Sequence, residues 1–311
     1  MTVSDFLAQV RSDFERHPPS KAFETTVGEI VNGVGRRVGG RVNYGVPHWE
    51  RGDWDILVLL DACRFDLMTE VADETDWIPD VDTHVSPASM SAEFVERMTR
   101  PRYRDEMSRT ALVTANPFSR DIDSEEWFTV NEVWRHSWDD DHGTILPRSV
   151  TDAAIRQSRA GDQDRIIVWF MQPHVPFVEE EWSDGYPDRR DVGKTSVDSG
   201  VKSPWMQLRD GERSFDEVWD AYRRNLELVL DEVRILVENV DGMVVVSADH
   251  ANAVGEFGVF GHPRNSWVPA LKRVPWIELD ASDSGVYRPG EVTANASKTD
   301  IAEQLEALGY R

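Results

Sequence analysis

Met243-Val244-Val245-Val246-Ser247-Ala248-Asp249-His250 holds four apolar residues that run without interruption toward an acid and an imidazole. A sheet with one wet face would alternate apolar and polar residues along such a run, whereas a strand buried on both faces reads as continuous. Two other stretches repeat the pattern. Ile56-Leu57-Val58-Leu59-Leu60 is followed at once by Asp61, and Ile166-Ile167-Val168-Trp169-Phe170 by Met171-Gln172-Pro173-His174. Helical patterns lie between them. The clearest runs from about Phe215 to Val240, with Val218, Tyr222, Leu226, Val229, Val233 and Leu236 on one face and a capping box at Ser214 and Glu217. Strands alternating with helices predict an α/β domain, its central sheet mostly parallel and covered by helices on both faces. Ligands of such sheets bind beyond the carboxyl ends of the strands. One Asp after a strand is commonplace; three strand ends carrying metal-capable or proton-transferring groups mark a site.

Composition bounds what that site serves. The 311 residues suffice for one large domain, and 40% hydrophobic content with 12 Trp, 12 Phe and 6 Tyr excludes global disorder. We read 1–50 as an N-terminal extension and 51–311 as the domain. The extension has a short amphipathic stretch (Phe6, Val10, Phe14) ending at Pro18-Pro19, then a Gly-rich segment from Gly28 to Gly45. With 57 acidic and 34 basic residues the net charge is −23, and only five of the basic residues are Lys. Acid spread along the whole chain, with little Lys, suits a protein that stays hydrated in concentrated salt, and a halophilic chain is the expectation. No basic stripe exists to neutralise phosphates, which argues against nucleic acid as a partner. Cys63 is the sole cysteine, so an intramolecular disulfide is excluded. No basic-then-apolar leader opens the sequence, and no apolar run approaches the ~18 residues of a membrane span. A cytoplasmic location is the default expectation.

Asp61, Asp249 and His250 offer two carboxylates and an imidazole, a donor set suited to Zn²⁺, Mn²⁺ or Mg²⁺ and less natural for Ca²⁺. An Asp-His dipeptide alone is more often a loop salt bridge or a helix cap. The surrounding residues change that reading. Val246 to His262 (VSADHANAVGEFGVFGH) resembles a segment of the sulfatases, members of the alkaline phosphatase superfamily, in which an Asp-His turn precedes Gly-Glu, a further Gly and then His. Ile56 to Asp66 resembles the first strand of that family, with Asp61 as metal ligand and Arg64 three residues on. Met171 to Phe177 resembles its His-x-Pro-Phe/Tyr turn and supplies His174. Asp300 to Gly309 resembles a late helix without its Pro. The resemblance spans roughly residues 53–310, although 100–160 and 178–213 carry no motif of the family. It implies an alkaline phosphatase-like fold and one divalent metal held by Asp61, Asp249, His250 and a nucleophilic residue.

Sulfatases make that nucleophile from Cys in a Cys-x-Pro-Ser-Arg motif. Cys63 stands in Ala62-Cys63-Arg64-Phe65-Asp66 instead, too close to Asp61, and reads as a packed structural thiol. Pro87-Ala88-Ser89-Met90-Ser91-Ala92-Glu93-Phe94 resembles the nucleophile segment of lipoteichoic acid synthases, with Ser89 matching their Thr and Ser86 and Ser91 as the other hydroxyls. A metal and a helix N-terminus both favour a serine alkoxide, whereas Ser-rich turns ordinarily just cap helices. His262-Pro263-Arg264 takes the place of the sulfatase His-Gly-Lys turn. Arg264 would bind the tetrahedral oxygens, and His174 or His262 would protonate the leaving oxygen. A second metal on His174 and His262 is the alternative, disfavoured because no Asp precedes His174 at the usual spacing. Trp127, Trp134, Trp138, Trp182 and Trp205 are either a lid over the site or core.

The expected function is therefore metal-dependent hydrolysis or transfer on phosphate esters or diesters, possible sulfate esters included, with a small molecule or glycan as substrate. The rival is an idle sulfatase-like binding protein of a surface-glycan pathway. Charge supplies the first test. The Debye length grows from about 3 Å at 1 M salt to about 10 Å at 0.1 M, so the thermal midpoint should fall over that range. A flat midpoint would remove the halophilic expectation.

Overall fold

A computed structural model of the chain describes Gly33, residues 43–183 and residues 202–290. The expected late helix at Asp300–Gly309, and most of the extension, lie outside the described residues.

Strands β1 (Ile56–Leu60), β2 (Asp82–Val85), β3 (Thr110–Thr114), β4 (Thr129–Glu132), β5 (Arg165–Phe170), β6 (Gly242–Ser247) and β9 (Arg273–Ala281) form one sheet in the order β2-β9-β6-β1-β5-β3-β4. The two-residue strands β7 (Ala253–Val254) and β8 (Phe260–Gly261) pair separately. From β6 across to β4 neighbours are parallel, while β9 is antiparallel to both β6 and β2. The sheet is thus mostly parallel, as the alternation of strands and helices requires. β1 lies in the middle, with Leu57 opposite Ile167 on one side and Val245 on the other. That register brings the carboxyl ends of β1, β5 and β6 level.

Both faces of the sheet are covered, which is why these strands read as unbroken apolar runs. Ile56, Val58, Leu60, Val168, Phe170, Val244 and Val246 join one cluster, together with residues of helices α1 (Phe65–Ala72), α3 (Pro147–Ala160) and α4 (Phe215–Val237). Leu57, Leu59, Ile167, Trp169 and Val245 point the other way, toward α2 (Ser91–Met98) and a group of aromatics that includes Trp49, Trp54, Trp127 and Trp276. Trp127, Trp134 and Trp205 are buried in the core, and Trp138 and Trp182 pack against it, so core packing accounts for these indoles. The capping box of α4 is present: Glu217 N–H donates to Ser214 Oγ and Ser214 N–H to the Glu217 carboxylate. Among the described residues no helix is long and apolar enough to cross a membrane.

Residues 43–50, read as part of the extension, pack on the sheet. His48 and Trp49 are buried, and Val46 N–H donates to Val85 O at 2.8 Å. Gly45 permits this approach, because a Cβ there would stand 2.0 Å from Ser86 O. The segment therefore braces the loop that follows β2 and enters α2.

Leu57 is fully buried at the centre of the sheet. Leu57→Ala should cost about 2–5 kcal/mol, the usual range for emptying such a site. Urea unfolding would read this as a lower midpoint with an unchanged slope, and a loss below about 1 kcal/mol would contradict a tightly packed centre.

Candidate active site

Asp61 follows β1 directly, and Asp249-His250 follows β6 after one Ala. All three are buried, and one ligand atom from each lies within 4.8 Å of the others. The turn after β1 is sharp: Ala62 adopts φ 61°, in the left-handed region, which costs a residue with a Cβ about 1 kcal/mol. In return Ala62 N–H donates to Asp249 Oδ1 at 3.0 Å, tying the two strand ends together. Ser86 supports the turn after β6 by donating its hydroxyl to Asp249 O.

The protons around His250 decide what the cluster can hold. Its Nδ1 faces Ala251 O at 3.1 Å, and a carbonyl only accepts, so Nδ1 carries the hydrogen. In a neutral ring Nε2 then keeps a lone pair, 3.3 Å from Asp249 Oδ2 and 3.6 Å from Asp61 Oδ1. Asp61 Oδ1 has no hydrogen-bond partner. Burial first, and the neighbouring Asp249 second, push the Asp61 carboxyl well above the usual carboxylate range. Two carboxylates and an imidazole thus converge in a buried cluster that could hold a metal ion. The residues fit a divalent metal, and His250 is already oriented by its second nitrogen as ligating histidines are.

Ser91, not Ser89, stands at this cluster. Its Oγ lies 2.8 Å from Asp249 Oδ2, 3.2 Å from His250 Nε2 and 3.4 Å from Asp61 Oδ2. Ser91 is the first residue of α2, so the positive end of the helix dipole backs it. Ser89, two residues earlier, points the other way. Its hydroxyl is within donating distance of Glu93 Oε2 at 3.0 Å and Pro263 O at 2.9 Å, and it accepts from Ser266 N–H at 3.0 Å. The expectation placing Ser89 beside the metal ligands gives way here for that reason: its hydrogen-bonding capacity is committed to the helix entry and the 263–266 loop. Arg264 also lies elsewhere. Its guanidinium is 47% exposed and pairs with Glu96, with no contact to the cluster.

His174 and His262 are brought together, Nε2 to Nε2 at 3.0 Å, and the His262 ring lies 4.7 Å from that of His250. His174 Nδ1 donates to Val175 O at 2.6 Å, so in the neutral pair His262 Nε2–H donates to His174 Nε2. His262 Nδ1 is left buried without a partner. Burial, then His250, brings His174 down to about 4, and burial holds His262 well below its ordinary value. Cys63 is buried beside the site, its thiol pushed up by burial, as a packed thiol should be. Arg64 bonds Asp66, Asn252 O and Glu256, linking the loops after β1 and β6. One residue of the site belongs to no motif read from the sequence: Asn116, beyond β3, donates from Nδ2 to Asp61 Oδ2 at 2.6 Å.

No family model matches the chain, and no curated protein does. Solved structures do. Lipooligosaccharide phosphoethanolamine transferase A (EptA) from Neisseria meningitidis, an integral membrane protein, is 13% identical, with a TM-score of 0.51 over 80% of this chain and 54% of its own. The C-terminal periplasmic domain of EptC from Escherichia coli, in complex with Zn, is 13% identical over 78% and 76% of the two chains, with a TM-score of 0.47. A protein of the alkaline phosphatase superfamily from Vibrio parahaemolyticus is 12% identical over 91% and 70%, at 0.40. This chain thus spans about half the length of EptA. At such identity the likeness to EptA shows the fold alone, an α/β fold around a mostly parallel sheet.

If the cluster is an anionic cage, neutralising one acid should help the metal-free protein. Asp61→Asn places an amide where the unpartnered Oδ1 stands. Its thermal midpoint in chelator should equal or exceed that of the parent, while the rise on adding Zn²⁺ or Mn²⁺ disappears. A lower midpoint in chelator together with an intact metal response would contradict this geometry.

Proposed function

We propose that the chain is a divalent-metal-dependent transferase or hydrolase of phosphate esters, with Ser91 as nucleophile and Asp61, Asp249 and His250 as metal ligands. The observation that carries this reading is the approach of Ser91 Oγ to a ligand atom of each of those three residues at the start of α2. The fold supports the class of chemistry, since EptA is a phosphoethanolamine transferase by name. Sulfate esters are the related alternative substrate. The intact ligand set and the nucleophile beside it tell against an idle binding protein.

When bound, the cation would lower the proton affinity of the serine hydroxyl and draw charge from the phosphoryl oxygens. Ser91 Oγ attacks phosphorus in line with the leaving oxygen, forming a phosphoserine as the P–O ester bond breaks. The His174–His262 pair, neutral at rest, takes the proton that Ser91 gives up and delivers it to the departing oxygen. Water or an acceptor hydroxyl then attacks the phosphoserine and gives its proton to the same pair, which returns it to Ser91 Oγ as the bond from that oxygen to phosphorus breaks. The acceptor decides between hydrolysis and transfer. Arg264 would have to leave Glu96 to reach the substrate, so the α2 N-terminus is the nearer source of positive potential.

Ser91→Ala should lower turnover of a chromogenic phosphodiester by about 10³-fold or more, because among the described residues no other hydroxyl bonds the side chains of Asp61, Asp249 and His250. Ser91→Thr should keep part of it. Ser89→Ala and Cys63→Ser should destabilise the protein yet leave turnover of the folded fraction within about tenfold. Chelation should stop the reaction, and Zn²⁺ or Mn²⁺ should restore it. Loss of turnover in folded Ser89→Ala, with Ser91→Ala active, would overturn the assignment.

A further inference from the structure

Asn116 lies two residues beyond β3, 1% exposed. Its side chain is fixed from both directions. Oδ1 accepts from Phe118 N–H at 2.9 Å, capping the short turn Pro117–Asp121, and its own backbone N–H donates to Thr114 Oγ1 at 2.9 Å. With the amide oxygen so committed, Nδ2 has one direction left, and it meets Asp61 Oδ2 at 2.6 Å. The other carboxylate oxygen, Oδ1, has no hydrogen-bond partner and faces His250 Nε2 at 3.6 Å.

A free carboxylate turns easily about its last torsion and offers either oxygen. A short bond from an immobile amide to a charged oxygen removes that freedom. We infer that Asn116 is a positioning residue: by holding Oδ2 of Asp61 it presents Oδ1 to the cation and so sets the affinity of the metal site without touching the ion. This rests on the reading of Asp61, Asp249 and His250 as ligands. An amide suits the task because it always carries hydrogen to donate and adds no charge to a cluster that already contains two acids. Capping alone would not require it. Ser caps a turn about as well as Asn does, but its hydroxyl is too short to keep the cap and also reach Asp61.

That difference supplies the test. Asn116→Ser keeps an oxygen for Phe118 N–H and removes the donor to Asp61, whereas Asn116→Leu removes both. Each full-length variant would be titrated with Zn²⁺ against a chelating dye and with Co²⁺ by visible absorption, and its thermal midpoint measured without metal. The expected result is Zn²⁺ affinity weakened by about 10–100-fold in both variants, the usual effect of losing a partner to a ligand, with an altered Co²⁺ spectrum. The metal-free midpoint should fall more for Leu than for Ser. If Asn116→Ser binds Zn²⁺ as the parent does and leaves the Co²⁺ spectrum unchanged, Asn116 is a cap alone and the inference is overturned. A parent protein that binds neither ion overturns the ligand reading itself, and this inference with it.

Discussion

Two buried carboxylates and the lone pair of an imidazole share one small volume in this protein, and the architecture around them is arranged to make that meeting possible. Like charges held this close in a dry site repel strongly. A flexible loop would relax them apart. Here Asp61 and Asp249 cannot separate, because each sits within two residues of a strand that is paired along its length, β1 with β6. The core behind the sheet supplies the rigidity, and the cluster stands where that rigidity ends.

The turns beyond the strands carry the strain of this arrangement. Among the described residues, those other than Gly with positive φ are Ala62, Phe257 and Asn265. Ala62 adjoins Asp61, and the other two flank the segment that delivers His262. None of the three belongs to the strands of the sheet. Departures from ordinary backbone conformation gather around the candidate site, where they aim groups that regular structure would scatter. Arg64 then holds two of these loops together through Asn252 O and Glu256, and its guanidinium lies 5.4 Å from the centre of the Trp219 ring.

The loop after β2 shows how differently similar side chains are placed. Ser86 donates to Asp249 O, Ser89 sits among Glu93, Pro263 and Ser266, and Ser91 faces the cluster of Asp61, Asp249 and His250. Three hydroxyls within six positions thus do three different things. The docked segment at residues 43–46 presses on this loop through Gly45, and Asn43 donates to Pro87 O at 2.8 Å. Residues far apart in the chain therefore set the path of the α2 entry, and with it the direction of Ser91.

What the sequence by itself determined is whatever depends on local pattern. Continuous apolar runs announced a sheet buried on both faces, the capping box announced the long helix, and residues at the strand ends marked Asp61, Asp249, His250 and His174 before any fold was known. Apolar burial and strand periodicity are properties of adjacent residues, so adjacent residues reveal them. Only the tertiary structure decided which serine faces Asp61, Asp249 and His250, that Arg264 pairs with Glu96, and that Asn116 reaches Asp61. The distance in sequence from Asn116 to Asp61 is 55 residues, and no local signal reports what a side chain will meet across a sheet. The choice between Ser89 and Ser91 was equally hidden, because it hangs on where one helix begins. At such an entry the backbone changes from extended to helical, and over two residues that change turns a side chain from one neighbour to another.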